Sequence, residues 1–376
     1  MKESLIRNGI IQIATPHSTG TGFVLGAEGL IITNEHVVRD NREVVVYGFN
    51  FRQQIVQVVY LDEKYDLAFL AMPEGFEGNT LSNETSDTLP KVEDQIYAVG
   101  HPYGASFVVQ EGKITALAEV NYGIPFIHHT AMLSSGFSGG PLLNEQGKVI
   151  GVNTFLTKKN EFVGFTLPVE RLKQQIIGFK KSKARVAAFC GKCDLVVSEI
   201  SIEAHCCPGC KKPIQLASDI NPYEPVGMAL TIEQLLDRLG YAAKLARRGA
   251  NNWDIVKGSA HINISYYEKS GLIIGDSYLC RLPLKDLSPL YQYLLRKNYQ
   301  LEGLTLSIKG KAVVLSLLIY DRYLNLNTGR RLFEHLFKTA DDLDNILIEQ
   351  YGASWIKEPP AIEKLAEEDD FPELIK

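Results

Sequence analysis

No stretch of this chain is apolar for long enough to cross a bilayer. Its first twenty residues, MKESLIRNGIIQIATPHSTG, are interrupted by Glu3, Arg7, Asn8 and Gly9 before a signal-peptide core can form. The sequence therefore predicts a cytoplasmic protein with no membrane partner. A dominant charge is missing too: the 376 residues carry a net charge of −5, so any nucleic-acid or membrane contact would have to be local, and nucleic acid is not an expected partner. There is no internal repeat and no spread of cysteines that would make a disulfide framework. Five of the six cysteines (Cys190, Cys193, Cys206, Cys207 and Cys210) crowd into one short stretch, and Cys280, in SYLCRL, reads as a buried apolar residue. What remains is 45% hydrophobic and 22% charged, ordinary globular material with length for two or three domains.

Within a first domain of residues 1–178, the sequence from Ile10 to about Pro168 reads as short strands rich in branched and aromatic side chains: GFVL, GLIITN, EVVVYGF, IVQVVYL, LAFLAM, QIYAVG, KVIGVNT and FVGFTL. Glycine and polar turns separate them, which predicts an all-β barrel or sandwich. An amphipathic segment, VERLKQQIIGF, predicts a closing helix, and the basic stretch KKSKAR after it reads as a solvated linker. The cysteine cluster occupies residues 187–216. Residues 222–355 change to a mixed pattern of helix, three strands, helix, two strands and a long helix from about Thr328 to Tyr351, an α+β domain. The tail, residues 356–376, is acidic and contains proline, a composition that favours disorder.

The chemistry concentrates in three short segments. In Gly136-Phe137-Ser138-Gly139-Gly140-Pro141, glycines flank a serine and permit a sharp turn in which the N–H groups of Gly136 and Ser138 converge. A histidine lies in Thr33-Asn34-Glu35-His36-Val37-Val38, and Tyr65-Asp66-Leu67-Ala68 opens the next apolar strand. Acyl transfer needs a nucleophile, a base, a group that orients the base and donors for an oxyanion, and the order His36, Asp66, Ser138 offers candidates for each. Individually each has a plainer reading as a core histidine, a strand-end cap and a turn serine.

Together, GTGFVL, TNEHVV, DLAFL, VGHPYGASFVVQEGKI, GFSGGPLLNEQGKVIGVNT and VGFTLP resemble, over about residues 10–178, the chymotrypsin-like serine proteases of the HtrA/Deg type. That resemblance implies a double-barrel fold with the site between the barrels, Ser138 as nucleophile, His36 as general base, Asp66 as its orienter, and Gly136 and Ser138 as the oxyanion hole. Catalysis in this pattern needs no cofactor. Phe137 stands where digestive relatives have an aspartate, so activation by a new N-terminus is not expected, and the PDZ domain of typical HtrA proteins is not recognisable after residue 178. The residue six before the nucleophile, at the pocket floor in trypsin relatives, is Met132, next to Leu133; this predicts an apolar side chain before the scissile bond. The turn around Lys158 to Phe165 would complete the pocket. His128 and His129 read as strand-surface residues, with recognition of an acidic side chain as the sharper alternative, and His101 reads as a loop residue.

Cys190-Gly-Lys-Cys193 and Cys207-Pro-Gly-Cys210, thirteen residues apart, have the spacing of a zinc ribbon, with Cys206 and His205 as adjacent alternatives. Four thiolates leave no open position, so the zinc would be structural. Residues 222–355 are similar in topology and apolar pattern to the YbjN and type III secretion chaperone-like fold, most clearly in LSPLYQYLLRKNYQLEGLTLSIKGKAVVLSLLIYDRYLN, which implies a non-catalytic module that binds a protein partner, such as a regulator, or dimerises. The sequence thus predicts a cytosolic serine endopeptidase acting on protein substrates, with the ribbon and C-terminal module recruiting substrate or controlling the site. The alternative is an inactive protease-fold scaffold.

Overall fold

The computed structural model describes residues 6–356 except 27, 50, 78–79, 82–89, 103–106, 122 and 155–163. The acidic tail, beyond residue 356, lies outside the described residues. The chain forms two compact units, Met1–Pro222 and Tyr223–Pro359.

The first unit is built on strands β1 (Ile10–Ala14), β2 (Thr19–Leu25), β3 (Leu30–Thr33), β4 (Glu43–Gly48), β5 (Phe51–Asp62) and β6 (Leu67–Ala71), then β7 (Gln95–Gly100), β8 (Val108–Asn121), β9 (Ile124–His129), β10 (Pro141–Asn144), β11 (Val149–Thr154) and β12 (Gly164–Pro168). The first six run in the order β5-β4-β1-β2-β3-β6 and close on themselves through β5–β6, with Tyr60 opposite Phe69 and Asp62 opposite Leu67. The second six close as β10-β11-β12-β9-β8-β7, with Leu142 of β10 opposite Ala98 of β7. These are the two antiparallel barrels the sequence predicts. Closure leaves few strand edges exposed. β1 and β3 are buried along their whole length, whereas β5 alternates from Val56 to Tyr60, which explains why only some strands announce themselves by period two.

Helix α1 (Glu35–Val38) is a single turn after β3, and α2 (Val169–Ser182) follows β12. Leu172, Ile176 and Phe179 of α2 join Phe23, Phe69, Val152 and Phe165 in one core, so the helix seals both barrels together. A buried hydrogen bond of 2.8 Å from the Tyr60 hydroxyl to Gln175 Oε1 fixes the helix to the first barrel.

The basic stretch is not a solvated linker. Lys180–Ser182 finish α2, Lys183 ends it in the left-handed region, and Ala187 already begins β13 (Ala187–Cys190). Its four basic side chains, Lys180, Lys181, Lys183 and Arg185, are exposed while the backbone beneath them finishes the helix and leads into a strand, a distinction composition cannot make. β13 adds to the first barrel by pairing in parallel with β5, Ala187 against Tyr60 and Ala188 against Leu61, and β14 (Leu195–Ser198) pairs with β13.

In the second unit, α3 (Gly227–Arg238) and α4 (Ala243–Ala246) precede β15 (Asn252–Lys257), β16 (Ala260–Tyr267) and β17 (Leu272–Arg281). Then come α5 (Leu287–Gln300), β18 (Leu304–Lys309), β19 (Ala312–Tyr320) and α6 (Leu326–Tyr351), and the antiparallel sheet is ordered β15-β16-β17-β19-β18. The predicted element order is present, with α4 in addition: four residues are too few to register a helical period. The long helix starts two residues before Thr328 because the Asn325 side chain accepts from the N–H groups of Asn327 and Thr328 and so caps it. Trp253, Ile262, Ile273, Leu317, Phe333 and Phe337 lie in the core with Cys280, which is wholly buried, as its sequence context predicts.

Arg247 donates from Nε and a terminal nitrogen to both oxygens of buried Glu233 at 2.7 and 2.6 Å, and Trp253 Nε1 adds a third bond at 3.2 Å. Glu233→Ala would strand a buried guanidinium. We expect it to destabilise this unit by about 3–5 kcal/mol in urea unfolding followed by Trp253 fluorescence, with the barrels' transition unmoved.

Candidate active site

Asp66 is the last residue of the β5–β6 turn, directly before β6, with φ of 52°, a left-handed conformation that an aspartate tolerates better than most residues. Asn34 Nδ2 donates to its carbonyl at 2.7 Å. Its carboxylate accepts from the His36 backbone N–H at 3.0 Å, where it acts as the N-terminal cap that Asn34 does not supply to α1. The same carboxylate faces His36 Nδ1 at 2.8 and 3.0 Å, and Thr154 Oγ1 donates to Oδ2 at 2.8 Å. Two oxygens thus receive bonds from both barrels. Thr154 was not singled out from the sequence; its signal is only the last letter of GVNT.

The Gly136–Ser138 loop comes from the second barrel and is held by the first. Thr21 donates from Oγ1 to the Gly136 carbonyl at 2.6 Å and from its N–H to the Ser138 carbonyl at 2.9 Å. Thr21 Oγ1 in turn accepts from the His101 N–H at 2.9 Å, and Thr33 Oγ1 donates to the Thr21 carbonyl at 2.7 Å. Thr21, unnoticed within GTGFVL, is therefore the joint between barrels. Phe137 N–H donates to the Ser134 carbonyl at 3.1 Å with Gly136 at φ 101°, which makes Ser134–Phe137 a turn of the kind that requires a positive φ at its third residue. A side chain on Gly139, at φ 83°, would place Cβ 2.2 Å from Thr33 Oγ1 and 2.3 Å from the Thr21 carbonyl. Among the described residues, the N–H groups of Gly136 and Ser138 donate to no protein acceptor. Nor is the His36 ring hydrogen-bonded to the Ser138 hydroxyl, a contact that in empty sites commonly tightens only on substrate binding. Phe137 is buried in the second barrel's core with Leu133 and Ala131, so apolar packing holds the loop where an ion pair would otherwise do so.

Met132 is 61% exposed, while its neighbour Leu133 points into the core at 7%. Most of the turn around Lys158 to Phe165 lies outside the described residues. His101 sits in a loop as predicted, but His128 and His129 are not surface residues: both are buried. β9 is covered on both faces, so the alternation that would expose one of them is absent. His128 packs edge-on against Phe165 with ring centroids 4.2 Å apart. His129 Nε2 meets Thr166 Oγ1 at 3.1 Å, and its ring fills the space a side chain on Gly164 would take.

Burial, reinforced by His128, pushes the His129 imidazole down to about 4. A group depressed on folding adds stability that is complete above its unfolded pKa, near 6.5, and is lost as pH falls toward 4. Wild type should therefore lose up to about 3 kcal/mol more than His129→Gln between pH 7 and pH 4, measured by denaturant unfolding.

Cys190, Cys193, Cys207 and Cys210 bring their sulfurs within 4.8 Å of one another, with Cys190–Cys210 at 3.4 Å and Cys193–Cys207 at 3.5 Å. A tetrahedral ion with metal–thiolate bonds of about 2.3 Å holds sulfurs about 3.8 Å apart, so the cluster fits such an ion. Asp194 N–H bonds the Cys190 carbonyl at 2.8 Å and Lys211 N–H the Cys207 carbonyl at 2.9 Å, forming two matched knuckles. Burial pushes the Cys190 thiol up, but the N–H groups of Cys193 and Lys192 and the neighbouring thiols outweigh it and bring it down to about 6. Cys206 instead pairs its backbone with Glu203 and Pro213, and His205 Nδ1 lies 3.3 Å from Asp219 Oδ2, so both alternatives sit outside the cluster.

One barrel supplies a histidine–aspartate pair and the other a glycine-flanked serine, and residues 20–152 match the family model described as a trypsin-like peptidase domain. Proteins described as DegP-like periplasmic serine endoproteases are similar over 160 residues: that of Hahella chejuensis is 36% identical, covering 41% of this chain and 34% of the relative. That of Ectopseudomonas mendocina is 34% identical, covering 41% and 33%. The chain spans about a third of the length of these relatives. Among solved structures, the serine endoprotease from Yersinia pestis is 25% identical with a TM-score of 0.44, covering 49% of this chain and 67% of that one. Among the described residues no helix is long and apolar enough to cross a membrane.

Proposed function

We propose that this chain is a serine endopeptidase that hydrolyses protein substrates through Ser138, His36 and Asp66. The carrying observation is the Asp66 carboxylate, bonded to His36 Nδ1 and held by Thr154, opposite a glycine turn that leaves two N–H groups available. With Nδ1 committed to Asp66, His36 Nε2 takes the Ser138 proton as Oγ attacks the scissile carbonyl. The N–H groups of Gly136 and Ser138 receive the oxyanion, His36 returns the proton to the leaving amine, and water then hydrolyses the acyl-enzyme by the same route. Met132, exposed beside the nucleophile loop, would meet the side chain before the scissile bond and favour an apolar one; Leu133 would contribute from beneath.

The four thiols Cys190, Cys193, Cys207 and Cys210 would hold a structural zinc ion, which supplies folding energy and takes no part in peptide hydrolysis. The second unit, with its YbjN or secretion-chaperone-like order of elements, would bind a protein regulator. A cytoplasmic location is supported by six unpaired thiols. The periplasmic designation of the relatives points the other way.

A fluorophosphonate probe on the full chain should add once to wild type and not to Ser138→Ala, and peptide hydrolysis should fall about 10⁶-fold in the variant. No adduct on wild type would instead favour an inactive scaffold. Thr154→Val, which frees Asp66 Oδ2 of one bond, should lower kcat about tenfold. Elemental analysis should find one zinc per chain, kept by Cys206→Ser and lost by Cys207→Ser.

A further inference from the structure

Asp66 is delivered to His36 by the turn Asp62–Asp66, and the far side of that turn is fastened to the cysteine-bearing segment. β13, which ends at Cys190, lies parallel against β5 immediately before the turn. Phe189 packs on Tyr65 with ring centroids 5.6 Å apart, and the Arg171 guanidinium covers the same ring at 4.5 Å. Lys64 Nζ donates to Asp194 Oδ1 at 2.6 Å. The chain passes so closely here that a Cβ on Gly191 would lie 3.0 Å from Lys64 Cβ. Inside the turn, wholly buried Asp62 accepts from the Tyr65 N–H at 3.0 Å. Every residue from Asp62 to Tyr65 except Glu63 is thereby tied either to the segment or to the turn itself, and Asp66 follows in a left-handed conformation.

We propose that the knuckle Cys190–Asp194, when its four-thiolate site is loaded, is a positioning device for Asp66, with Lys64, Phe189 and Asp194 as positioning residues. The idea rests on the endopeptidase reading and the zinc site above. Its physical basis is that the segment has almost no core of its own: Cys190, Val197 and Cys207 form its own buried cluster, while Ala187, Ala188 and Leu216 pack into the cores of the barrel. Holding the knuckle shape therefore falls to the metal, as in small domains that fold only when loaded. Lys64–Asp194 is solvent-exposed and by itself contributes about 1 kcal/mol at most. The strand pairing and the Phe189–Tyr65 contact carry the remainder, and both depend on an ordered knuckle. Displacing a catalytic group by about 1 Å can cost about 10²-fold in rate, so a loose turn would be felt in kcat.

The test uses the full chain before and after removal of zinc by a high-affinity chelator, with metal content measured. Hydrogen exchange at the Lys64 and Tyr65 amides should quicken about tenfold on removal, with β10 and β11 unchanged. Over the same change kcat for a peptide should fall by about tenfold or more at nearly constant KM, and added zinc should restore both. Unchanged exchange and kcat in zinc-free protein would overturn the proposal, as would a chain that takes up no zinc. If chelation unfolds the whole first barrel, Asp194→Asn and Lys64→Met, which keep all four thiols, replace it. Each should quicken exchange in the turn and lower kcat by about three- to fivefold, with most of the loss recovered when Lys64→Asp and Asp194→Lys are combined. No change in the single variants would again overturn the proposal. A loaded wild type that never reacts with the fluorophosphonate would refute the endopeptidase reading alone, because the exchange measurement still reports whether the metal orders the turn.

Discussion

The carboxylate of Asp66 is the constraint on which the site depends. Its two oxygens accept from the His36 N–H and ring, on the first barrel, and from Thr154, on the second. A buried or half-buried carboxylate is costly unless several donors compensate it, and here the compensation also sets the direction of the imidazole. Orientation of the imidazole is thus coupled to the registration of the barrels through one group. Any shift of one barrel against the other would break a charge-assisted hydrogen bond.

Thr21 carries the same logic to the Ser138 side. One residue of β2 holds the carbonyls of both Gly136 and Ser138 while its own carbonyl is held by Thr33, three residues before His36. With those carbonyls committed to Thr21, and the N–H groups of Phe137 and Gly139 in the same peptides donating to the Ser134 and Asn153 carbonyls, the loop backbone is fixed at both planes. Buried Phe137 anchors the loop from below.

The cysteine segment belongs structurally to the first barrel rather than following it on a tether. Parallel pairing with β5 makes it an extension of the sheet that ends in the Asp66 turn. The second unit has its own core around Trp253 and Phe333 and its own buried ion pair, consistent with a separately folding module.

Much of this was legible in the sequence because the chemistry sits in contiguous motifs. The order of His36, Asp66 and Ser138, the glycines around the nucleophile, the pairing of Cys190 and Cys193 with Cys207 and Cys210, and the element order of the second unit were all readable from local spacing and apolar period. Thr154 and Thr21 were not, since a threonine in a strand has no local mark of a partner 88 or 115 residues away. The burial of His128 and His129 was misread because a strand covered on both faces loses the alternation from which exposure is inferred. Composition likewise could not separate a solvated linker from the last turn of α2 and a strand docked on β5. Sequence therefore determined which groups are present and their order, because those are properties of short stretches. The tertiary structure decided which of them touch, because barrel closure and strand pairing bring together residues whose separation along the chain carries no signal.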